Sequence, residues 1–279
     1  MFASIHGVDF SGARLAGRNT WVARLEAAGR RRFRLTDLDC LEKLAGTAER
    51  TPALTFLVRL IAASDTALWA LDFPFGLPIE VMTAGAPWSH QFRFLREWGD
   101  DAYGAGLECV RRARRLGTKL HIRRLSDTET KTPFDCYHYR IIFQTFYGMR
   151  DVLGPLRRDA ATAVLPFQYR RLPTVKRVLL ESCPASVLKL LRLPHQNYKQ
   201  TSAGPLNRKR LLARRAILAG LASHVAVGPG HRWVIMRNAG GDALDAVIAA
   251  VGARRAWRQT DHVAVARHPR YRREGRVYC

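Results

Sequence analysis

Residues 66–72 read TALWALD, a nearly continuous apolar run closed by an acid. Such a run has no polar face to offer solvent, so it fits a strand covered on both faces, as in the parallel part of an α/β sheet. That requirement sets what the rest of the chain must supply: flanking strands, and a layer on each side of the sheet. Residues 3–9 (ASIHGVD) provide a second strand that also ends in an acid. Residues 20–26 (TWVARLE) and 32–36 (RFRLT) alternate instead, through Trp21, Ala23 and Leu25 and then Phe33 and Leu35, and together with 3–9 predict an antiparallel meander. Thr51-Pro52 marks a helix start, a capping hydroxyl followed by proline at the first helical position, and Leu54, Leu57, Val58 and Ile61 continue at helical spacing.

Residues 175–182 (VKRVLLES) predict a further strand, after which Pro184 opens a short helix. Residues 206–222 predict a basic amphipathic helix, with Leu211, Leu212, Ile217, Leu218 and Leu221 on its apolar side and Arg208, Lys209, Arg210, Arg214 and Arg215 opposite. RWVIM (232–236) reads as another strand, and DALDAVIAAVGARRAW as the final helix. Between the two halves, residues 84–174 are rich in arginine and aromatics and predict helices near 102–116 and 138–153. The expected organisation is a core in two parts, 1–83 and 175–279, interrupted by a basic, mainly helical insertion at 84–174.

With 279 residues the chain can bury about three quarters of its unfolded surface and needs no staple to fold. The five cysteines, Cys40, Cys109, Cys136, Cys183 and Cys279, are odd in number and never spaced as C-x-x-C. That argues against a disulfide framework and a zinc ribbon, and points to a reducing, cytoplasmic setting. Cys136 and His138 with His121 and His90 offer zinc-binding atoms, but not at a finger's spacing. No apolar stretch approaches the roughly 20 residues of a membrane span, and MFASIHGVDFSG lacks a signal peptide's basic start.

Lys and Arg number 46 against 23 acids, and only 7 of the 46 are lysine. The imbalance is uneven: residues 1–83 hold 10 basic and 9 acidic residues, whereas 200–279 hold 15 and 4. A surface this basic attracts polyanions, and nucleic acid is the expected partner, with no membrane role. Arg140, Arg150, Arg208, Lys209 and Arg210 are the candidate phosphate contacts, and Trp88, Phe92, Tyr139 and Tyr147 offer stacking faces or core packing.

Acids are scarce enough that their positions carry information. Asp9 and Asp72 close apolar strands, Glu181 follows Val178-Leu179-Leu180, and Asp242 and Asp245 lie three apart in an otherwise apolar helix. Each has an ordinary explanation: a turn acid at Asp9, a cap at Asp72 or Asp242, an arginine pair at Glu181. Taken jointly, carboxylates converging from strand ends and one helix would repel unless a cation lay between them. Oxygen-only ligation selects Mg²⁺ or Mn²⁺ over zinc.

The order β-β-β-α-β, with an acid on the first and fourth strands and D-x-x-D-A on a late helix, resembles the RNase H-like fold, and DALDAVIAA is similar to the RuvC-type resolvase helix. More closely, GVDFSGA (7–13), ALDFPFGLP (70–78), FYGMRDVLGPL (146–156), ESCPA (181–185) and GDALDAVIAA (241–250) resemble the domain of unknown function 429 family, bacterial and archaeal proteins predicted to be RNase H-like nucleases. The resemblance implies Asp9, Asp72, Asp242 and Asp245 as metal ligands, with Glu181 as a fifth catalytic acid or a supporting one. Asp72 stands where RuvC-type enzymes carry glutamate, so the shorter side chain leaves one ion or two open. The expected function is metal-dependent hydrolysis of phosphodiester bonds. The alternatives are a non-enzymatic nucleic-acid-binding or docking protein on the same fold, or an actin-like phosphotransferase suggested by GVDFSG.

Overall fold

A computed structural model describes residues 2–29, 32–117, 119–200 and 204–279. Its centre is a seven-stranded mixed sheet of β1 (Ser4–Asp9), β2 (Trp21–Ala27), β3 (Phe33–Cys40), β4 (Ala67–Asp72), β5 (Thr162–Val164), β6 (Arg177–Glu181) and β7 (Val225–Ala226), in the order β5-β6-β4-β1-β2-β3-β7. β1 and β4 lie side by side and parallel, and β6 and β5 extend the parallel half. β2 runs antiparallel to both β1 and β3, as the alternating segments predict. β7 adds a short parallel edge to β3.

Helices cover both faces. On one face Val8, Trp69 and Leu71 pack with Leu54, Leu57 and Ile61 of the Arg50–Ala63 helix, and with Phe92, Leu95, Phe146 and Leu153 from the 84–174 segment. That segment therefore shares one hydrophobic core with the sheet, and it also supplies β5 at the sheet edge. On the other face Ile5, Ala23, Leu25, Leu68 and Leu180 pack against the Asp242–Gln259 helix. Every residue of this helix from Ala243 to Ala253 is buried, because it is enclosed between the sheet and an outer layer that includes Pro184–Leu190 and Arg208–Leu221.

The RWVIM segment is helical, not a strand: it lies within Pro229–Arg237. Pro229 at the first turn presets helical φ, and only Ile235 is buried while Trp233 faces solvent. A five-residue apolar run carries too little periodicity to separate the two states. The first long helix begins at Arg50, one residue before the expected Thr51 cap. All five cysteines are free, and among the described residues no helix is long and apolar enough to cross a membrane.

Candidate functional site

The parallel register pairs Asp9 with Asp72, so the two carboxylates leave adjacent strands at the same level, one strand spacing apart. The buried helix brings the third. Its approach to β1 is set at Gly7, where a Cβ would lie 2.0 Å from the Ala246 carbonyl oxygen and 2.6 Å from the Ala250 nitrogen. Only glycine opposite this Ala-rich face allows that contact. Asp245 immediately precedes Ala246, and Asp9 lies two residues beyond Gly7, so the close approach delivers one carboxylate to the other. One oxygen from each of Asp9, Asp72 and Asp245 lies within 4.8 Å of the others.

Gly241, at φ +88°, turns the chain into the helix, and Asp242 occupies its first position. Asn238 hydrogen-bonds the Asp242 side chain and accepts from the Ala243 amide at 3.2 Å. Asp242 lines the same cleft as the three converging acids and contributes to the field at Asp9. The cleft has a volume of about 730 Å³. Gln144 reaches over its wall to donate to the Phe10 carbonyl at 2.6 Å, tying the Ile142–Tyr147 helix to the end of β1.

Burial dominates the electrostatics. It raises the Asp9 carboxyl well above the ordinary carboxylate range; Asp245, Asp242 and Asp72 push in the same direction and Lys199 opposes them. Burial with the Asp245 charge pushes Asp72 up to about 8, and the Asp9 and Asp72 carboxyls hydrogen-bond each other. Asp242 is raised as well, again chiefly by burial. Lys199 contacts one oxygen of Asp245, and the Tyr198 hydroxyl donates to the other at 2.9 Å. Burial alone would lower the Lys199 ammonium, but Asp245 and Asp9 more than reverse this and hold it charged.

Glu181 reaches the cleft wall but its carboxylate is engaged elsewhere. Arg124 donates to its two oxygens at 2.5 and 2.8 Å, and the Phe75 amide adds a bond at 2.9 Å. The same guanidinium pairs with Asp127, at 2.8 and 3.0 Å, in an enclosed cluster where all three residues are at most 2 % exposed. Among the predicted acids, the geometry thus unites Asp9, Asp72 and Asp245, keeps Asp242 beside them, and gives Glu181 a supporting place.

The candidate phosphate contacts separate by environment. Arg208 and Lys209 are exposed. Arg210 is partly buried and donates to the Lys199 carbonyl at 2.7 Å. Arg140 is exposed beside Phe134 and Tyr139, with Phe134 on the cleft wall. Arg150 instead turns inward, paired with Asp100 at 2.8 Å and Asp151 at 2.7 Å, bonded to the Gly99 carbonyl and set over the Phe146 and Tyr147 rings. Trp88, Phe92 and Tyr147 are core residues, and Tyr139 alone of the four proposed stacking faces is exposed. Arg214, expected on the solvated side of its helix, is fully buried and donates to the carbonyls of Tyr198, Ile235, Asn238 and Ala239 at 2.6–2.7 Å. The cysteine–histidine group does not assemble as a metal site: Cys136 is buried, and His121 faces Asp135 at 3.1 Å.

Tyr198, Lys199 and Arg124 escaped sequence reasoning. Lys199 had one available signal, since lysine is rare in a chain whose cations are overwhelmingly arginine. Three carboxylates focused on one point, all oxygen donors, fit a hard divalent cation.

Residues 157–270 match the model of a family described as a protein of unknown function, DUF429. No curated protein and no solved structure matches the chain.

Proposed function

We propose that this protein is a divalent-metal-dependent phosphodiesterase acting on nucleic acid, built on an RNase H-like core. The observation that carries the proposal is the convergence of Asp9, Asp72 and Asp245, with Asp242 beside them, at the ends of two parallel strands and the start of a buried helix. Support for the core assignment comes from the strand order β6-β4-β1-β2-β3 with β2 antiparallel, as the β-β-β-α-β reading anticipates.

Asp9, Asp72 and Asp245 would hold the ion, with Asp242 able to complete its shell. A Mg²⁺ or Mn²⁺ ion bound there supplies Lewis acidity toward a phosphoryl oxygen and makes water acidic enough to attack near neutral pH. The rest falls to the protein. Tyr198 orients the Asp245 carboxylate through its hydroxyl, and the Gly7 contact fixes that aspartate's height against Asp9. Phe134 puts an aromatic face on the cleft wall, with the Arg140 cation and the Tyr139 ring beside it, suited to a base and a phosphate. Arg208 and Lys209 extend the positive surface.

The test is cleavage of end-labelled DNA and RNA, single- and double-stranded, with Mn²⁺ or in chelator, by wild type, Asp9→Asn and Asp245→Asn. Both variants preserve shape and remove a ligand charge, so metal-dependent cleavage should fall by more than the roughly 10–100-fold cost of losing a mere supporting partner. Asp9→Asn should leave the chelated protein as stable as wild type or more so, because it relieves repulsion among clustered acids. A structural acid behaves oppositely, since breaking a buried pair costs about 3–5 kcal/mol. Cleavage that survives both substitutions, or that proceeds equally in chelator, would refute the proposal.

A further inference from the structure

Lys199 is a cation in direct ion-pair contact with the acid cluster. Its ammonium contacts one carboxylate oxygen of Asp245 and its charge acts on Asp9 as well, while the second Asp245 oxygen is taken by Tyr198. Its backbone is anchored on both sides. Arg214 holds the Tyr198 carbonyl at 2.7 Å, Arg210 holds the Lys199 carbonyl at 2.7 Å, and the Gln200 amide donates to Ala239 at 2.9 Å. The side chain, by contrast, is 47 % exposed, with a flexible four-carbon stem leading into the open cleft. An anchored backbone with a free stem allows the ammonium to leave the acids without any movement of the chain.

We propose that Lys199 is the resident counter-ion of the acid cluster, and that a divalent cation enters by exchange with its ammonium, so that this lysine sets the cluster's metal affinity. The proposal rests on the reading of the acids as a metal site. The exchange has a clear direction. Lys199 brings one positive charge into contact with Asp245, and the Arg214 guanidinium adds its field at Asp242 and Asp245; a divalent ion among the carboxylates brings two charges and neutralises them better. The Tyr198 bond can persist, because it uses the other oxygen. The released ammonium stays tethered to the cleft that Lys199 lines.

Titration calorimetry with Mn²⁺ on the full chain, after chelation, compares wild type with Lys199→Met, Lys199→Gln and Lys199→Arg. Removing the competing charge should tighten Mn²⁺ binding at least about tenfold in both neutral variants. Both should also melt at lower temperature in chelator, and Mn²⁺ should raise their melting temperatures by more than it raises that of wild type. Lys199→Arg, which keeps the charge, should stay near wild type in affinity. A lysine with a merely structural role would lower stability without tightening metal binding. If a neutral variant does not stay folded in chelator, it can be purified with Mn²⁺, and titration with a competing chelator reads the same affinity from the loaded protein. Equal or weaker Mn²⁺ binding in Lys199→Met and Lys199→Gln overturns the exchange while leaving the metal site intact. Absence of Mn²⁺ binding in all four proteins overturns the metal reading and the exchange together.

Discussion

Asp9 and Asp72 give the metal-free protein an unusual dependence on pH. Both carboxyls titrate higher in the folded chain than near 3.8, Asp72 at about 8. The folded state therefore binds protons that the unfolded state has released, and their contribution is full below pH 3.8 and lost as pH rises toward 8. His6 acts in the opposite sense. Burial and then Arg24 lower it to about 3, with its ring stacked on Trp69 and bonded to Ser4, so its contribution is present above pH 6.5 and lost on acidification toward 3. Between about 4 and 6.5 the single His6 slope offsets only part of the slope from the two carboxyls, and above 6.5 the carboxylate slope stands alone. Melting temperature in chelator should thus fall between pH 6.5 and 8.5, fall less steeply in Asp72→Asn, and recover on adding Mn²⁺; a flat wild-type profile would contradict this. At this scale the acids were legible because each ends or interrupts an apolar run, a place where charge needs a reason. Arginines were not. Arg214, Arg150 and Arg124 differ from exposed arginines in their partners, which include backbone carbonyls and acids distant in sequence.

The element that matters most is the Asp242–Gln259 helix, whose small residues let it lie on β1 at Gly7. A methyl there would meet backbone atoms, which cannot rotate away as a side chain can. Gly7→Ala should therefore cost at least the roughly 1–3 kcal/mol typical of overpacking, read as a lowered melting temperature or denaturant midpoint. It should also weaken Mn²⁺ binding, because the helix must lift or slide and carry Asp245 away from Asp9. Unchanged stability would mean that the helix is not seated by this contact. The sheet's central strands and this helix were readable from GVD, ALD and DALDAVIAA, since apolar continuity and an all-buried helical pattern survive any choice of neighbours. The Pro229–Arg237 helix and the short β5 and β7 edges were not, because segments of two to nine residues take their state from the surface they land on.

Across the whole molecule the formal charge is +23, and the acid cleft is an exception within it. The arrangement suits a polyanion whose backbone is held by the basic surface while one phosphate meets the carboxylates. Exposed Arg208 and Lys209 are the simplest test of that surface. If both contact phosphates of a duplex, Arg208→Ala with Lys209→Ala should weaken binding at low salt and reduce the slope of log K against log salt by about two. An unchanged slope would place them on a merely solvated face. Composition announced this scale, but not that the arginine-rich 84–174 segment would turn many aromatics and some cations inward to build one core with the sheet. Whether the acids hold a divalent ion is decided most directly by anomalous diffraction from crystals soaked in Mn²⁺. A manganese peak is expected, bonded to carboxylate oxygens of Asp9, Asp72 and Asp245, with the Lys199 ammonium displaced from Asp245. A map without manganese among those carboxylates, at Mn²⁺ concentrations that saturate the protein in solution, would contradict it.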